Sequence, residues 1–366
     1  MPADPLRFDL LLIGFGHVAR RFVRLLEERR SRLAAEHTLT TRVVGISTRR
    51  HGSAFAGGGL DVDAALKLVE RGQSLDALRS SVHTTPPSDP ALALIEGSSA
   101  LTASVSEQRL VAIETTVLDI KAGQPAIDYV AAALRTGAHV VTANKGPVAF
   151  AYRRLRDESR SARRAFLFEG AVMDGVPVFN LVRETLPGVE VIGFRGVVNS
   201  TTNYILSAME AARDREEALA EMQARGIAEA DASFDLDGWD AAAKTAALVN
   251  VLLGGEITPH DVERMGIGDL TGEETRTAVT RGERIRLVAS AERRDGGTVA
   301  QVRPVALPQN DVLAGLSGME NALVLKTDLL GEIAIVQLGG GLTQTAYALL
   351  SDLIAIRRQL VRGTFY

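Results

Sequence analysis

Asp240 and Lys244 stand four residues apart within residues 238–255, GWDAAAKTAALVNVLLGG. That spacing puts both side chains on one face of a helix, which Asp237 can cap at its start and Gly254 and Gly255 can end. On a solvated helix the pair would be a surface ion pair worth a few tenths of a kcal/mol. Here residues 241–243 are all alanine and residues 246–249 read AALV, so little of the helix is expected to meet water. A charged pair in such surroundings needs a purpose, in binding or in catalysis. The chain has no cysteine, so any chemistry must come from Lys, Asp, Glu, His or a cofactor. Just upstream, residues 226–237 (GIAEADASFDLD) concentrate Glu229, Asp231, Asp235 and Asp237 between two helical patterns. Such a loop offers a carboxylate to an ammonium group or ligands to a metal, or is simply solvated. It lacks the D-x-[DN]-x-[DN]-G spacing and later bidentate Glu of an EF-hand.

A second constellation lies near the start. Gly14, Phe15, Gly16, His17, Val18 and Ala19 fit G-x-G-x-x-A, between the apolar run 8–13 (FDLLLI) and a helical pattern. The first glycine permits a tight turn, the second lets a pyrophosphate approach the backbone, and the small third residue allows close helix–strand packing. A dinucleotide is the expected ligand. The next apolar run, 42–47 (RVVGIS), ends in Ser47, Thr48, Arg49 and Arg50, with no carboxylate to accept ribose hydroxyls. Arginine there pairs with a 2′-phosphate, which favours NADP and leaves NAD open. A solvated basic loop is the alternative. The six histidines, at 17, 37, 51, 83, 139 and 260, form no close pair with ligand spacing, so no zinc site is expected.

These residues need a frame to hold them. Apolar runs at 8–13, 42–47, 110–114 (LVAIE) and 138–143 (AHVVTA) alternate with helical patterns, the signature of a doubly wound parallel sheet. Beyond Gly146 and Pro147 the texture changes. Residues 166–172 (FLFEGAV) and 189–199 read as longer strands of a second domain, followed by a helical middle and strand candidates at 299–307, 322–327 and 333–338. The expected fold is therefore α/β: a Rossmann domain over residues 1–147 and 340–366, closed by a returning helix at 345–356. An α+β domain with a mixed or antiparallel sheet would take residues 148–339.

Length and composition agree. The 366 residues suit two domains, and 46% hydrophobic with 23% charged residues excludes a largely disordered chain. A net charge of −4 provides no bulk positive field for nucleic acid. No apolar stretch approaches the ~18 residues of a membrane span, and the absence of cysteine fits a reducing compartment, so a cytoplasmic enzyme is expected. The basic run of the first helix (Arg20, Arg21, Arg24, Arg29, Arg30, Arg32) is interleaved with Glu27 and Glu28 and reads as a solvated face.

Taken together, GFGHVA at 14–19, VTANKG at 141–146, NSTTNYIL at 199–206 and the acidic run leading to Lys244 resemble homoserine dehydrogenase across nearly the whole chain. The resemblance implies interconversion of L-homoserine and L-aspartate 4-semialdehyde by hydride transfer with nicotinamide, on the route to threonine, isoleucine and methionine. It implies Lys244 as proton donor and acceptor, Lys145 as the second lysine of the site, Asp240 as an orienting acid, Glu229 as the ammonium carboxylate, and Asp235 and Thr201 as substrate contacts. Cofactor contacts are implied at residues 14–19, Thr48, Arg49, Arg50, Thr115, Thr116, Lys145 and Gly341. A sodium-like ion would sit on Glu169, Val172, Asp174 and Val176. Two residues depart from the pattern the resemblance implies: Asp174 in the ion segment, where a small residue is usual, and Ser200 beside Thr201, where glycine is preferred. Either could reshape its site, so a related amino-acid dehydrogenase stays open, as does a non-catalytic dinucleotide sensor. The resemblance further implies a homodimer, and the length leaves no room after the returning helix for an ACT-type or kinase domain.

Overall fold

The first apolar run forms strand β1 (Leu6–Ile13), buried throughout from Phe8 onward, as a central parallel strand covered on both faces must be. The computed structural model describes residues 6–78, 88–98, 109–224 and 232–363. After β1 come α1 (His17–His37), β2 (Leu39–Ser47), β3 (Ser53–Phe55), α2 (Val62–Glu70), α3 (Pro90–Gly97), β4 (Leu110–Glu114), α4 (Ala126–Arg135), β5 (His139–Thr142), α5 (Lys145–Ala162) and β6 (Phe166–Leu167). The chain continues through α6 (Phe179–Thr185), β7 (Val191–Val197), α7 (Ser200–Glu210), α8 (Arg215–Ala224), α9 (Ser233–Leu236), α10 (Trp239–Leu252), β8 (Glu263–Arg264) and α11 (Gly272–Thr280). It ends with β9 (Glu283–Arg294), β10 (Gly297–Pro308), β11 (Asn321–Thr327), β12 (Gly331–Gln337) and α12 (Leu342–Arg362).

The described residues group into two units, one within Met1–Pro147, Arg153–Gly175 and Gly341–Tyr366, the other within Val148–Tyr152 and Val176–Gly340. The first holds a sheet of order β3-β2-β1-β4-β5-β6, parallel except for the β2–β3 edge. Strand order reverses between β1 and β4, the point where doubly wound sheets bind ligands at the carboxyl ends of their strands. Its core joins Leu10, Leu12, Phe22 and Val111 to Leu349, Leu353 and Ile356 of α12, so the returning helix completes this unit. The second holds a mixed sheet, β12-β11-β7-β9-β10-β8, antiparallel except where β10 meets β8.

Three local expectations differ from the structure. Residues 153–175 group with the first unit, because Phe166 and Leu167 pair in parallel with Val140 and Val141 as that sheet's sixth strand. The run FLFEGAV stops being a strand after two residues: Glu169–Ala171 is a 3₁₀ turn, and Glu169 N donates to Asp352 of α12 at 2.9 Å instead of to a strand. Asp237 does not cap α10. Gly238 takes that place in the left-handed region (φ 81°), and the Asp237 side chain is exposed.

Strand β9 was invisible in the sequence because charged residues interrupt its apolar pattern. Its Arg286, 1% exposed, is answered inside the fold: Nη1 lies 2.5 Å from Glu210 Oε1, and Nη2 donates to the carbonyls of Leu316 (2.6 Å) and Ala314 (3.2 Å). Arg284 Nη1 takes the other Glu210 oxygen at 2.6 Å. Glu210 is the last residue of α7, so this triad pins that helix to the sheet. Glu210→Ala strands a buried guanidinium and is expected to cost about 3–5 kcal/mol, measured as the shift of the urea unfolding midpoint. Glu210→Gln, which keeps an acceptor, costs less.

Candidate functional site

In the second unit, Asp240 and Lys244 do share a face. Lys244 Nζ lies 2.9 Å from Asp240 Oδ2, with side chains 15% and 10% exposed, so this is a largely buried ion pair. Nζ also donates to Val198 O at 2.5 Å, which ties α10 to the end of β7. Two further groups converge on the pair. Asn199, the N-cap of α7, donates from Nδ2 to Asp240 Oδ2 at 2.9 Å and to Asp235 Oδ1 at 2.7 Å. Thr201, in the first turn of α7 and 5% exposed, is a polar neighbour that helps to hold down the Asp235 carboxyl. Burial, then the charge of Asp240, pushes the Asp235 carboxyl above the usual carboxylate range, against the opposing pull of Asn199, Lys244 and Thr201. Glu229 lies outside the described residues. The cluster thus contains one cation, two carboxylates and a helix N-terminus, able to hold a small zwitterion and exchange a proton with it.

In the first unit, Gly14 has φ 90°, and a Cβ there would come within 2.9 Å of Thr115 O. Its N–H donates to Ser47 O at 2.9 Å, and its carbonyl accepts from Thr115 Oγ1 at 3.2 Å, so the turn is clamped between β2 and β4. A Cβ on Gly16 would meet nothing within 4 Å. Helix α1 begins there with no side-chain cap and no acidic residue in its first turn, which leaves N–H groups at an open position suited to a pyrophosphate. Phe15 and Ala19 are buried and Val18 half-buried, so they pack the turn; His17 is exposed beside it.

At the end of β2 the chain turns through Thr48, Arg49, Arg50, His51 and Gly52. Thr48 Oγ1 accepts from His51 N at 2.7 Å and donates to Gly52 O at 3.1 Å, so its hydroxyl builds the turn. Arg49 and Arg50 project from that turn, exposed. The basic run on α1 is a solvated face: Arg21, Arg24, Arg30 and Arg32 pair with Glu28, Glu70, Glu27 and Glu36.

Glu114, which sequence reasoning passed over as a strand residue, ends β4 with 1% exposure. It accepts from Thr116 N (2.7 Å), Thr116 Oγ1 (2.5 Å) and Thr142 Oγ1 (2.6 Å). Thr142 Oγ1 in turn accepts from Asn144 N at 2.9 Å, and Asn144 caps α5 through Gly146 N at 2.9 Å. Lys145, half-buried, opens that helix. The network therefore joins Thr116 to the start of α5. Burial raises the Glu114 carboxyl above its ordinary range, and hydrogen bonds from Thr116, Thr142 and Asn144 work against it.

The two departures from the expected pattern have partners. Ser200 Oγ accepts from Asn321 Nδ2 at 2.8 Å, which ties α7 to β11. Asp174 accepts from Gly341 N and Thr345 Oγ1, both at 3.1 Å, so its carboxylate caps α12. Gly341 is thus the N-cap of that helix, with φ 153°. Glu169, Val172 and Asp174 belong to the first unit and Val176 to the second. Among the described residues no three acidic or histidine side chains gather to hold a metal, and no helix is long and apolar enough to cross a membrane.

Two family models account for most of the chain: homoserine dehydrogenase over residues 177–354, and the homoserine dehydrogenase NAD-binding domain over residues 14–169. The chain belongs to the homoserine dehydrogenase family. Members are oxidoreductases that act on a CH–OH group, and the NAD-binding model covers the glycine turn, Glu114 and Lys145. The NAD(+)-dependent homoserine dehydrogenase of Pseudomonas canavaninivorans is 34% identical over 364 residues, 97% of each chain. A crystal structure from Archaeoglobus fulgidus aligns with a TM-score of 0.81 and 30% identity, over 96% of this chain and 99% of that one. The homoserine dehydrogenase of Thiobacillus denitrificans aligns with a TM-score of 0.78 and 27% identity, over 97% of this chain and 74% of that one.

The raised Glu114 carboxyl has a consequence for stability in this family member. As pH rises past the ordinary carboxylate range, the unfolded chain releases the proton first, so the folded state loses ground until Glu114 itself ionises. The stability difference between wild type and Glu114→Gln should therefore shrink or reverse as pH rises from about 4, read from urea midpoints across a pH series. A pH-independent difference would show that this carboxyl does not titrate differently in the folded chain.

Proposed function

We propose that this chain interconverts L-homoserine and L-aspartate 4-semialdehyde with a nicotinamide dinucleotide, as its family membership suggests. The observation that carries this reading is the buried Asp240–Lys244 pair with Asn199, Asp235 and Thr201 around it. A bound nicotinamide supplies the hydride acceptor in one direction and the hydride donor in the other. In homoserine oxidation the C4–H bond breaks to give the hydride and the hydroxyl proton passes to a base; in reduction both steps reverse. We assign that proton to Lys244, held by Asp240, and give Lys145 the second lysine position. Asp235, Glu229 and Thr201 are read as binding the amino-acid end of the substrate, with Asp240 also orienting it.

For the dinucleotide, we assign the pyrophosphate to the turn from Gly14 to Ala19 and the nicotinamide side to Thr115, Thr116, Lys145 and Gly341. Arg49 and Arg50, exposed on a turn built by Thr48, support NADP over NAD. A monovalent cation at Glu169, Val172, Asp174 and Val176 would be held by backbone carbonyls, since the Asp174 carboxylate is engaged by α12. We further read the second unit, within Val148–Tyr152 and Val176–Gly340, as the substrate-binding and dimerising domain, and the cytoplasm as the compartment of the enzyme.

The deciding assay follows dinucleotide reduction by absorbance with homoserine and with other amino alcohols, using NADP and NAD in turn. Turnover of another amino alcohol but not of homoserine rejects the substrate. In Lys244→Ala, kcat/KM should fall by about 10²–10⁴-fold with dinucleotide affinity near wild type; dinucleotide binding without turnover in either form would instead mark a sensor. Replacing Arg49 and Arg50 together by alanine should weaken NADP at least about tenfold and leave NAD nearly unchanged. An equal loss for both dinucleotides would remove these arginines from the phosphate site.

A further inference from the structure

A single side chain holds the acidic cluster together. Asn199 Oδ1 accepts from Thr202 N at 2.9 Å and lies 3.0 Å from Thr202 Oγ1, which fixes the asparagine at the start of α7. That anchoring directs Nδ2 at both carboxylates, 2.7 Å from Asp235 Oδ1 and 2.9 Å from Asp240 Oδ2. An amide nitrogen carries two hydrogens, and here each has its own acceptor.

The two acids are answered unequally. Asp240 has Lys244 Nζ at 2.9 Å. Asp235 feels that cation more weakly than it feels Asp240, and depends on neutral donors, Asn199 and Thr201 of α7. Among the described residues the charged groups that bear most on Asp235 are Asp240 and Lys244, both from α10. Two like charges grouped around one nitrogen lower their energy by taking up a proton between them unless donors occupy their oxygens. A shared proton would remove one of the negative charges available to a substrate ammonium.

We propose that Asn199 is a positioning residue of the reaction: its amide occupies an oxygen of both Asp235 and Asp240, keeps them from sharing a proton, and so preserves Asp235 as a carboxylate for the substrate. This rests on the homoserine reading above for the identity of the ligand, though not for the behaviour of the carboxylates. Asn199→Ser separates the two duties of the side chain. Serine caps helices about as well as asparagine, but a single short hydroxyl cannot cap α7 and bridge both acids.

The experiment compares wild type, Asn199→Ser and Asn199→Ala in two measurements. The first is a carboxyl carbon-13 NMR titration of the aspartate-labelled free protein, with Asp235→Asn identifying the Asp235 resonance. The second is the pH profile of kcat/KM for homoserine. In Asn199→Ser the Asp235 titration should move up by about one pH unit, and the acidic limb of kcat/KM should move with it, while the thermal midpoint stays near wild type. Asn199→Ala should show the same titration shift together with a lower midpoint from the lost cap. An Asp235 titration unmoved in Asn199→Ser overturns the proposal, as does a rate loss equal at every pH. Absence of homoserine turnover in the wild type would defeat the substrate assignment, and the NMR titration would still decide the role of Asn199.

Discussion

Charge buried away from water must be answered by the fold, and that constraint organises both halves of this protein. Lys244 and Asp240 sit on a helix whose neighbouring positions are alanine, leucine and valine, most of them fully buried. Removing two ions from water costs more than their attraction alone returns unless further hydrogen bonds complete them. Val198 O completes the ammonium and Asn199 the carboxylate, and both lie where β7 passes into α7. The position of α7 is therefore a condition for the pair, and the buried Glu210–Arg286 contact at the far end of that helix helps to set it.

The nucleotide half meets the same constraint with a different solution. Glu114 is an acid at the end of a central strand, and among the described residues its carboxylate is met by neutral donors, the N–H and hydroxyl of Thr116 and the hydroxyl of Thr142, with Asn144 close behind. A carboxylate satisfied by dipoles on two adjacent strand ends and a helix cap is locked in place by many directional bonds. It sits at the point of the sheet where strand order reverses, one residue before the threonine that clamps Gly14. Glycine at position 14 and acid at position 114 are in this sense one device: the first lets the backbone turn against Thr115, and the second fixes the segment that it turns against.

Much of this was legible in the sequence, and the reasons are local. Leu110–Glu114 and Ala126–Arg135 follow hydrophobic runs of the right period, and the glycine turn lies between strand and helix as its spacing requires. The four-residue step from Asp240 to Lys244 is a helical neighbour relation, so their contact needed no knowledge of the rest of the fold. What escaped was non-local. Strand β9 was hidden by arginines whose partner, Glu210, lies more than seventy positions away, at separations of 74 and 76 residues. The destination of residues 166–167 depended on pairing with β5, which a two-residue apolar run cannot announce. Asn199 could have been flagged by its place before Ser-Thr-Thr as a helix cap, though not as the bridge between two acids.

Ser200 and Asp174 mark the same division. Read along the chain, Ser200 stands where the resemblance implies glycine and Asp174 where it implies a small residue, with no indication of where either side chain goes. In the folded chain Ser200 bonds to Asn321, 121 residues on, and Asp174 to Gly341 and Thr345, at separations of 167 and 171. The sequence by itself determined most of the elements of the first sheet, the glycine turn and the lysine–aspartate pair, because those follow from backbone periodicity and from neighbours within a few residues. Tertiary structure alone decided which polar groups are answered and by whom. A hydrogen bond reaches only about 3 Å, and which distant residues come within that reach is a property of packing.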